Sequence, residues 1–199
     1  DGSDAFTFKE DFGRSTFGNS CPTDGPAPVE KTRLTTCYSV EIPWEEIDCA
    51  GTGQDGELQK GVAWPDPRFT DNLDGTVTDH LTGLRWLKDA NCFGERTWGE
   101  ALSDCNGLAT GSCGLSDGSG AGDWRLPNVK ELQSLIDYAS ARPALPSGCP
   151  FTNVEFTFWS STNNADYVWI AWHVSLVSGS VSYDNKTDLY AVLPVRGGH

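Results

Sequence analysis

The stretch Gly122-Asp-Trp-Arg-Leu-Pro127, which leads directly into a helical pattern, decides the predicted fold. Trp124 and Leu126 are expected to fix this loop to the core, and Pro127 sets the turn before the helix. Arg125 is costly to bury without a partner, so we expect it to donate to a carboxylate or a backbone carbonyl. These features indicate a framework segment around which the remaining elements pack.

Two helices are predicted in the middle of the chain. Asn128 is a good N-cap and Glu131 stands at the third helical position, which predicts a helix over about residues 128–139. Upstream, Thr97-Trp-Gly-Glu100 reads as a capping box, and the apolar spacing after it predicts a helix over about residues 98–109.

Short antiparallel strands are predicted on both sides of the helices. A Leu73-Asp-Gly75 turn separates two β-prone runs, and a third run over residues 84–88 completes a meander. After Pro150 the pattern alternates again, with turns at Gly179 and near Asn185. Two central helices flanked by hairpins define an α+β class.

The first 60 residues carry turn signals and little periodicity, so we predict an irregular N-terminal extension over 1–60 that packs on one main domain over 61–199. The seven cysteines lack the paired spacing of a zinc site and favour disulfides in an oxidising compartment. Six paired cysteines allow 15 connectivities, and Cys21 is then the unpaired one. Our hypothesis pairs Cys37 with Cys49, Cys92 with Cys113, and Cys105 with Cys149.

Charge and composition exclude several classes of function. The net charge of −14 makes nucleic acid a poor partner, and no apolar run is long enough to span a membrane. The glycine-rich segment Gly51–Gly56 lacks the preceding strand and following helix of a dinucleotide-binding site. Residues 71–79 are predicted to form a turn, and an ion-binding site is the weaker alternative. The three histidines come without a hydrolase or zinc-protease motif, so we expect no enzyme, no cofactor and no metal.

Several segments in fixed order resemble one known family. They are residues 79–86, residues 89–94, residues 122–127, Phe158-Trp-Ser-Ser-Thr162 and Pro194-Val-Arg-Gly-Gly198. Together they closely resemble the bacterial C-type-lectin-like domains found at the C-terminus of collagen-like adhesins, related to the formylglycine-generating-enzyme branch. The resemblance covers about residues 60–198. It implies a C-type-lectin-like fold in a secreted or cell-surface bacterial protein, which could be lipid-anchored upstream.

The region from about 163 to 191 looks like the variable segment of a diversity-generating retroelement protein, as in some members of that family. Framework positions alternate there with chemically miscellaneous residues that adenine replacement in an asparagine codon can produce; Trp169 cannot arise in that way. The resemblance implies that these residues form a ligand-binding surface. The C-terminal cysteine pair that the enzyme branch uses is missing from this sequence. The candidate positions are Tyr167, Val168, Trp169, Ile170, His173, Ser175, Val177, Ser178, Ser180, Ser182, Tyr183, Asp184, Asp188, Leu189, Tyr190 and Ala191.

We therefore expect a ligand-binding surface protein with a retroelement-diversified patch, and the alternative is an adhesin of fixed specificity for glycans or matrix polymers. The expected partner is a protein or glycan on another cell, a phage or a host surface, and the expected state is a monomer. Aromatic anchors give large contact area at low entropy cost. The expected anchors are Tyr183, Tyr190, Trp169 and His173, whereas Trp172, Val174 and Trp124 are expected in the core.

Overall fold

A computed structural model describes residues 29–197, so the prediction about Cys21 lies outside the described residues. In chain order the elements are β1 (Cys37–Tyr38), β2 (Glu46–Ile47), α1 (Asp55–Leu58), β3 (Phe69–Asp71), β4 (Thr76–Asp79), β5 (Arg85–Leu87), α2 (Trp98–Gly107), α3 (Val129–Ser134), β6 (Thr157–Asn163), β7 (Ile170–Ser175), β8 (Val181–Asn185) and β9 (Val195–Arg196). All strand pairs are antiparallel, and the mixture of helices with small antiparallel sheets is an α+β arrangement.

The predicted meander forms three strands of a four-stranded sheet with the order β3-β4-β5-β9. The turn before β4 needs glycine at position 75, because its φ is +85° and a Cβ there would lie 2.5 Å from the Gly114 carbonyl oxygen. The C-terminal strand β9 closes the sheet on β5, and Val195 also exchanges backbone hydrogen bonds with Arg125. The loop of residues 122–127, which we call the deciding loop, therefore adjoins the last strand of the sheet.

Both central helices begin where their caps predict. The Asn128 side chain accepts hydrogen bonds from the Lys130 and Glu131 amides, and Glu131 accepts from the Asn128 amide at 2.8 Å. In the other box the Thr97 hydroxyl donates to Glu100 at 2.7 Å. The predicted end of the second helix, α3, at residue 139 is wrong.

Helix α3 ends at Ser134 because tertiary contacts redirect the chain. The Leu135 amide closes a tighter turn on the Leu132 carbonyl, and the Asp137 amide donates to the Ala144 carbonyl at 2.9 Å. Helix α2 likewise ends at Gly107, two residues before its predicted end.

The sheet β6-β7-β8 lies between two apolar clusters. On one side Phe158 and Val174 pack with Leu132 and Leu135 from the region of α3. On the other side Trp159 and Ala171 pack with Ala101 and Cys105 of α2. Because helices cover β6 and β7 from both sides, inward and outward positions along these two strands are not separated by simple alternation, whereas β8 is largely exposed.

The half-buried Arg125 and Arg196 both pair with a carboxylate, as predicted for Arg125. Arg125 binds Glu131 through two nitrogens at 2.7 Å each, and it donates to the Gly197 carbonyl at 3.1 Å. Arg196 lies 2.8 Å from an Asp117 carboxylate oxygen and 5.2 Å above the buried Trp124 ring. These pairs fix the deciding loop to the C-terminal strand.

Two of the three hypothesised disulfides are present, Cys37–Cys49 and Cys92–Cys113. The Cys105–Cys149 pairing is wrong because both thiols are free and pack against different clusters. Burial raises the pKa of both free thiols. Within the described part of the chain, no helix is long and apolar enough to cross a membrane.

The N-terminal segment is tied to the rest of the chain by few contacts. Glu30 bridges Val62, and Arg33 binds the buried Asp137 carboxylate at 2.7 Å. The boundary near residue 60 stays a prediction.

Candidate functional site

A polar turn before β7 presents three large side chains to solvent. The Asn164 side-chain oxygen accepts hydrogen bonds from the Asp166 and Tyr167 amides at 2.9 and 3.2 Å, which shapes the turn. Tyr167, Val168 and Trp169 follow, and all three are exposed. The Tyr167 and Trp169 rings lie 5.3 Å apart between centroids.

Lys186 fixes the backbone of this turn. Its ammonium donates to the Val168 carbonyl at 2.6 Å, and its amide donates to the Trp169 carbonyl at 2.9 Å. The same ammonium lies 4.3 Å above the Trp98 ring, and the Trp98 indole donates to the Ser160 carbonyl at 2.8 Å. The turn, the end of β8 and the start of α2 are therefore held together by one cation.

A second aromatic pair lies across β7 and β8. Trp172 and Tyr183 are direct cross-strand partners, with ring centroids 5.2 Å apart in an edge-to-face arrangement. Tyr183 is 46% exposed and Trp172 is half-buried. We name the set Tyr167, Val168, Trp169, Trp172 and Tyr183 the aromatic surface.

The candidate positions divide into three groups by exposure. Nine are exposed, namely Tyr167, Val168, Trp169, Ser178, Ser180, Ser182, Tyr183, Asp188 and Leu189. Four are half-buried, namely Ile170, Val177, Asp184 and Tyr190. The expectation of an accessible surface position is wrong for His173, Ser175 and Ala191, which are buried.

His173 is buried on the α2 side of the sheet, beside Trp159, whereas Ala191 belongs to the cluster on the α3 side. Ser175 lies in the β6–β7–β8 ladder, opposite Thr157. Ala191 exchanges backbone hydrogen bonds with Thr157 and Trp159 of β6. Alternation in sequence identified the two faces of β7 but could not show that both are covered.

His173 belongs to a coupled side-chain cluster rather than to the exposed surface. It is 7% exposed, and its Nε2 lies 3.0 Å from an Asp184 carboxylate oxygen. The Tyr190 hydroxyl donates to that same oxygen at 2.5 Å. The rings of Tyr190 and Trp159 lie 4.6 and 6.0 Å from the imidazole centroid, respectively.

Hydrogen bonding to the shared Asp184 oxygen shifts the pKa of two groups in this cluster, Asp184 and Tyr190. Hydrogen bonds from Tyr190 and then from His173 lower the pKa of Asp184. Burial, followed by the hydrogen bond to Asp184, raises the pKa of Tyr190 to about 12. Two of the four expected anchors, His173 and Tyr190, are therefore engaged within the protein.

Two aromatic residues of this region were not predicted as site residues. Trp172 was assigned to the core, and Trp98 was considered only as part of a capping box. Trp172 joins the surface because it lies opposite Tyr183 on the neighbouring strand. This position depends on the strand register, which the sequence alone does not give.

The charge of this region is weakly negative. Residues 151–199 carry four carboxylates against two basic side chains, a net charge of −2. Among residues 29–197, no group of three or more histidine, cysteine or acidic residues is arranged to hold a metal ion.

Comparison with known protein families identifies the class of the domain. Residues 75–196 match the Lcl C-terminal domain family, which is a family of C-type-lectin-like domains. The match covers more than half of the chain, so this chain belongs to the Lcl C-terminal domain family. No curated protein matches the chain.

Proposed function

We propose that this chain is a ligand-binding domain of C-type-lectin-like fold, carried by a secreted or cell-surface bacterial protein, and that the aromatic surface contacts the ligand. The observation that carries the proposal is the group of solvent-exposed aromatic side chains on a backbone that Lys186 holds in place. Exposed aromatics on a fixed backbone give contact area without a large ordering cost.

The ligand is a protein or glycan without strong negative charge. A net charge of −2 over residues 151–199, within a chain of −14, repels sulfated polymers and nucleic acids. Aromatic side chains stack on the apolar faces of sugars and fill apolar pockets of proteins equally well. The domain binds as a monomer and has no catalytic role. The two disulfides support an oxidising, extracellular location.

Retroelement diversification is part of the proposal for the exposed positions only. Tyr167, Val168, Ser182 and Tyr183 have exposed side chains, so their replacement should leave the core of the domain undisturbed. Sequencing the genomic neighbourhood tests this: a reverse transcriptase gene and a near-copy template of the 3′ end of the gene are expected. Their absence favours the second candidate.

The second candidate is an adhesin of fixed specificity. The coupling of His173, Asp184 and Tyr190 within the proposed variable region favours it, because random replacement of Asp184 removes the hydrogen-bond partner that His173 and Tyr190 share. Sequences of this gene from several isolates separate the two candidates: a fixed adhesin keeps the exposed aromatics unchanged, whereas a diversified one does not.

The binding test compares matched aromatic substitutions. Tyr183→Ala and Trp169→Ala are compared with Tyr138→Ala, since Tyr138 is 45% exposed and lies outside the aromatic surface. A glycan array and intact host and bacterial cells serve as ligands. We expect the first two variants to bind about tenfold more weakly or worse, and the Tyr138 variant to bind normally. Equal binding by all three variants contradicts the proposal.

A further inference from the structure

A second apolar surface lies on the disulfide-closed hairpin formed by residues 37–49, which we name the N-terminal hairpin. Val40, Ile42 and Trp44 at its tip are 90%, 79% and 70% exposed, and Tyr38 and Ile47 on its strands are exposed as well. Tyr38, Val40 and Ile47 line one shallow depression of about 380 Å³. Isolated exposed apolar residues are ordinary, but a group of this kind marks an interaction site.

The N-terminal hairpin is an ordered structure with its polar groups satisfied internally. The Ser39 hydroxyl oxygen lies 3.0 Å from both the Glu41 and the Pro43 carbonyl oxygens, which share its one donor proton, and it accepts from the Glu45 amide at 3.0 Å. At the base, the Gln54 side chain bonds both the amide and the carbonyl of Tyr38. These hydrogen bonds hold the turn and the base of the hairpin in one conformation, which lowers the ordering cost when the exposed apolar side chains bind a partner.

The charge around these apolar side chains has one sign. Every charged residue from 37 to 49 is acidic and exposed, namely Glu41, Glu45, Glu46 and Asp48. Such a rim repels anionic lipid headgroups, and the chain charge of −14 repels a second copy of the protein. An apolar tip within an acidic rim is complementary to an apolar groove bordered by lysine and arginine.

We propose that the N-terminal hairpin docks into an apolar groove with a basic border on a partner protein. The hairpin lies outside the family-matched residues 75–196 and shares no residue with the aromatic surface, so this proposal does not rest on the ligand-binding surface proposed above. The proposal requires both components, apolar contact through Val40, Ile42 and Trp44, and charge attraction through the surrounding carboxylates.

The test uses synthetic amphipathic helical peptides as surrogate grooves on the full chain. A leucine–lysine peptide presents an apolar stripe bordered by positive charge, and a leucine–glutamate peptide of the same apolar content is its control. Trp44 is the reporter: its acrylamide quenching is obtained as the difference between wild-type protein and Trp44→Phe. Phosphatidylcholine vesicles test a lipid surface, and analytical ultracentrifugation of the free protein tests self-association.

We expect the leucine–lysine peptide to shield Trp44 and the control peptide and vesicles not to. Val40→Ser/Ile42→Ser and Glu41→Gln/Glu45→Gln should each weaken the binding by about tenfold. Unchanged binding by the serine variant shows unspecific charge attraction and overturns the proposal. Trp44 already shielded in the free protein, a dimer, shielding by vesicles, or no shielding by the leucine–lysine peptide overturns it as well. Unchanged melting temperatures of the variants show that the fold is intact.

Discussion

Replacing His173 by alanine should destabilise the protein, although the residue stands among exposed positions in the sequence. The imidazole is 7% exposed and packs against the rings of Tyr190 and Trp159. Its Nε2 also lies 3.0 Å from the Asp184 carboxylate. Truncation removes both the ring contacts and the hydrogen bond, and it leaves a cavity beside the second apolar cluster.

The magnitude follows from these contacts. A hydrogen bond contributes about 1 kcal/mol, and lost aromatic contacts with partial cavity formation contribute about 1–2 kcal/mol more. A loss of about 2–3 kcal/mol corresponds to a melting temperature lowered by roughly 5–10 °C for a chain of this size. The cross-strand neighbour Ser182 is exposed, so Ser182→Ala should change the free energy of unfolding by about 0.5 kcal/mol or less.

Thermal and urea unfolding of the two variants check this prediction. A double-mutant cycle with Asp184→Asn should in addition give a coupling energy of about 1 kcal/mol between His173 and Asp184. If His173→Ala destabilises the protein no more than Ser182→Ala, the imidazole is not part of the core. The whole region, including His173, could then be diversified without loss of stability.

Three further predictions concern stability. Removing the Cys92–Cys113 disulfide, which closes a loop with a sequence separation of 21, should cost about 3 kcal/mol in urea unfolding, and an unchanged midpoint contradicts this. Trp124→Ala should cost about 3–5 kcal/mol, because the indole is buried and donates to Ser119; a loss below 1 kcal/mol would show that the deciding loop is not anchored by this side chain. The pKa of Tyr190 is raised to about 12 in the folded protein, whereas the unfolded chain releases this proton near pH 10. The free energy of unfolding should therefore fall as the pH rises from about 10 to 12. Tyr190→Phe should reduce this alkaline loss in melts recorded across that range, and an identical slope in both proteins contradicts the assignment.

Features encoded by neighbouring residues were predictable from the sequence. The Asn128–Glu131 box and the turn at Gly75 act over three or four residues, and each appears where it was predicted. The pairing of Arg125 with a carboxylate or a carbonyl followed from the cost of burying an unpaired charge. In each case the physical cause lies within the local sequence or in a general rule of burial.

Features that depend on distant elements were not predictable. The end of α3 is set by the hydrogen bond of Asp137 to Ala144, and no stop signal marks it locally. A bridge between Cys105 and Cys149 requires the two predicted helices to lie together, whereas Cys105 packs in the second cluster and Cys149 against the first. The burial of His173 likewise depends on which helix covers each face of the sheet.

The cluster of His173, Asp184 and Tyr190 also restricts how this region can evolve. His173 and Tyr190 share one Asp184 carboxylate oxygen and pack ring against ring, so a single substitution removes at least one of these contacts and passes through a less stable protein. Their mutational effects are therefore epistatic, and natural variants should inherit the three residues as a unit. Exposed neighbours such as Ser182 and Tyr183 lie outside this hydrogen-bonded cluster and can be exchanged one at a time.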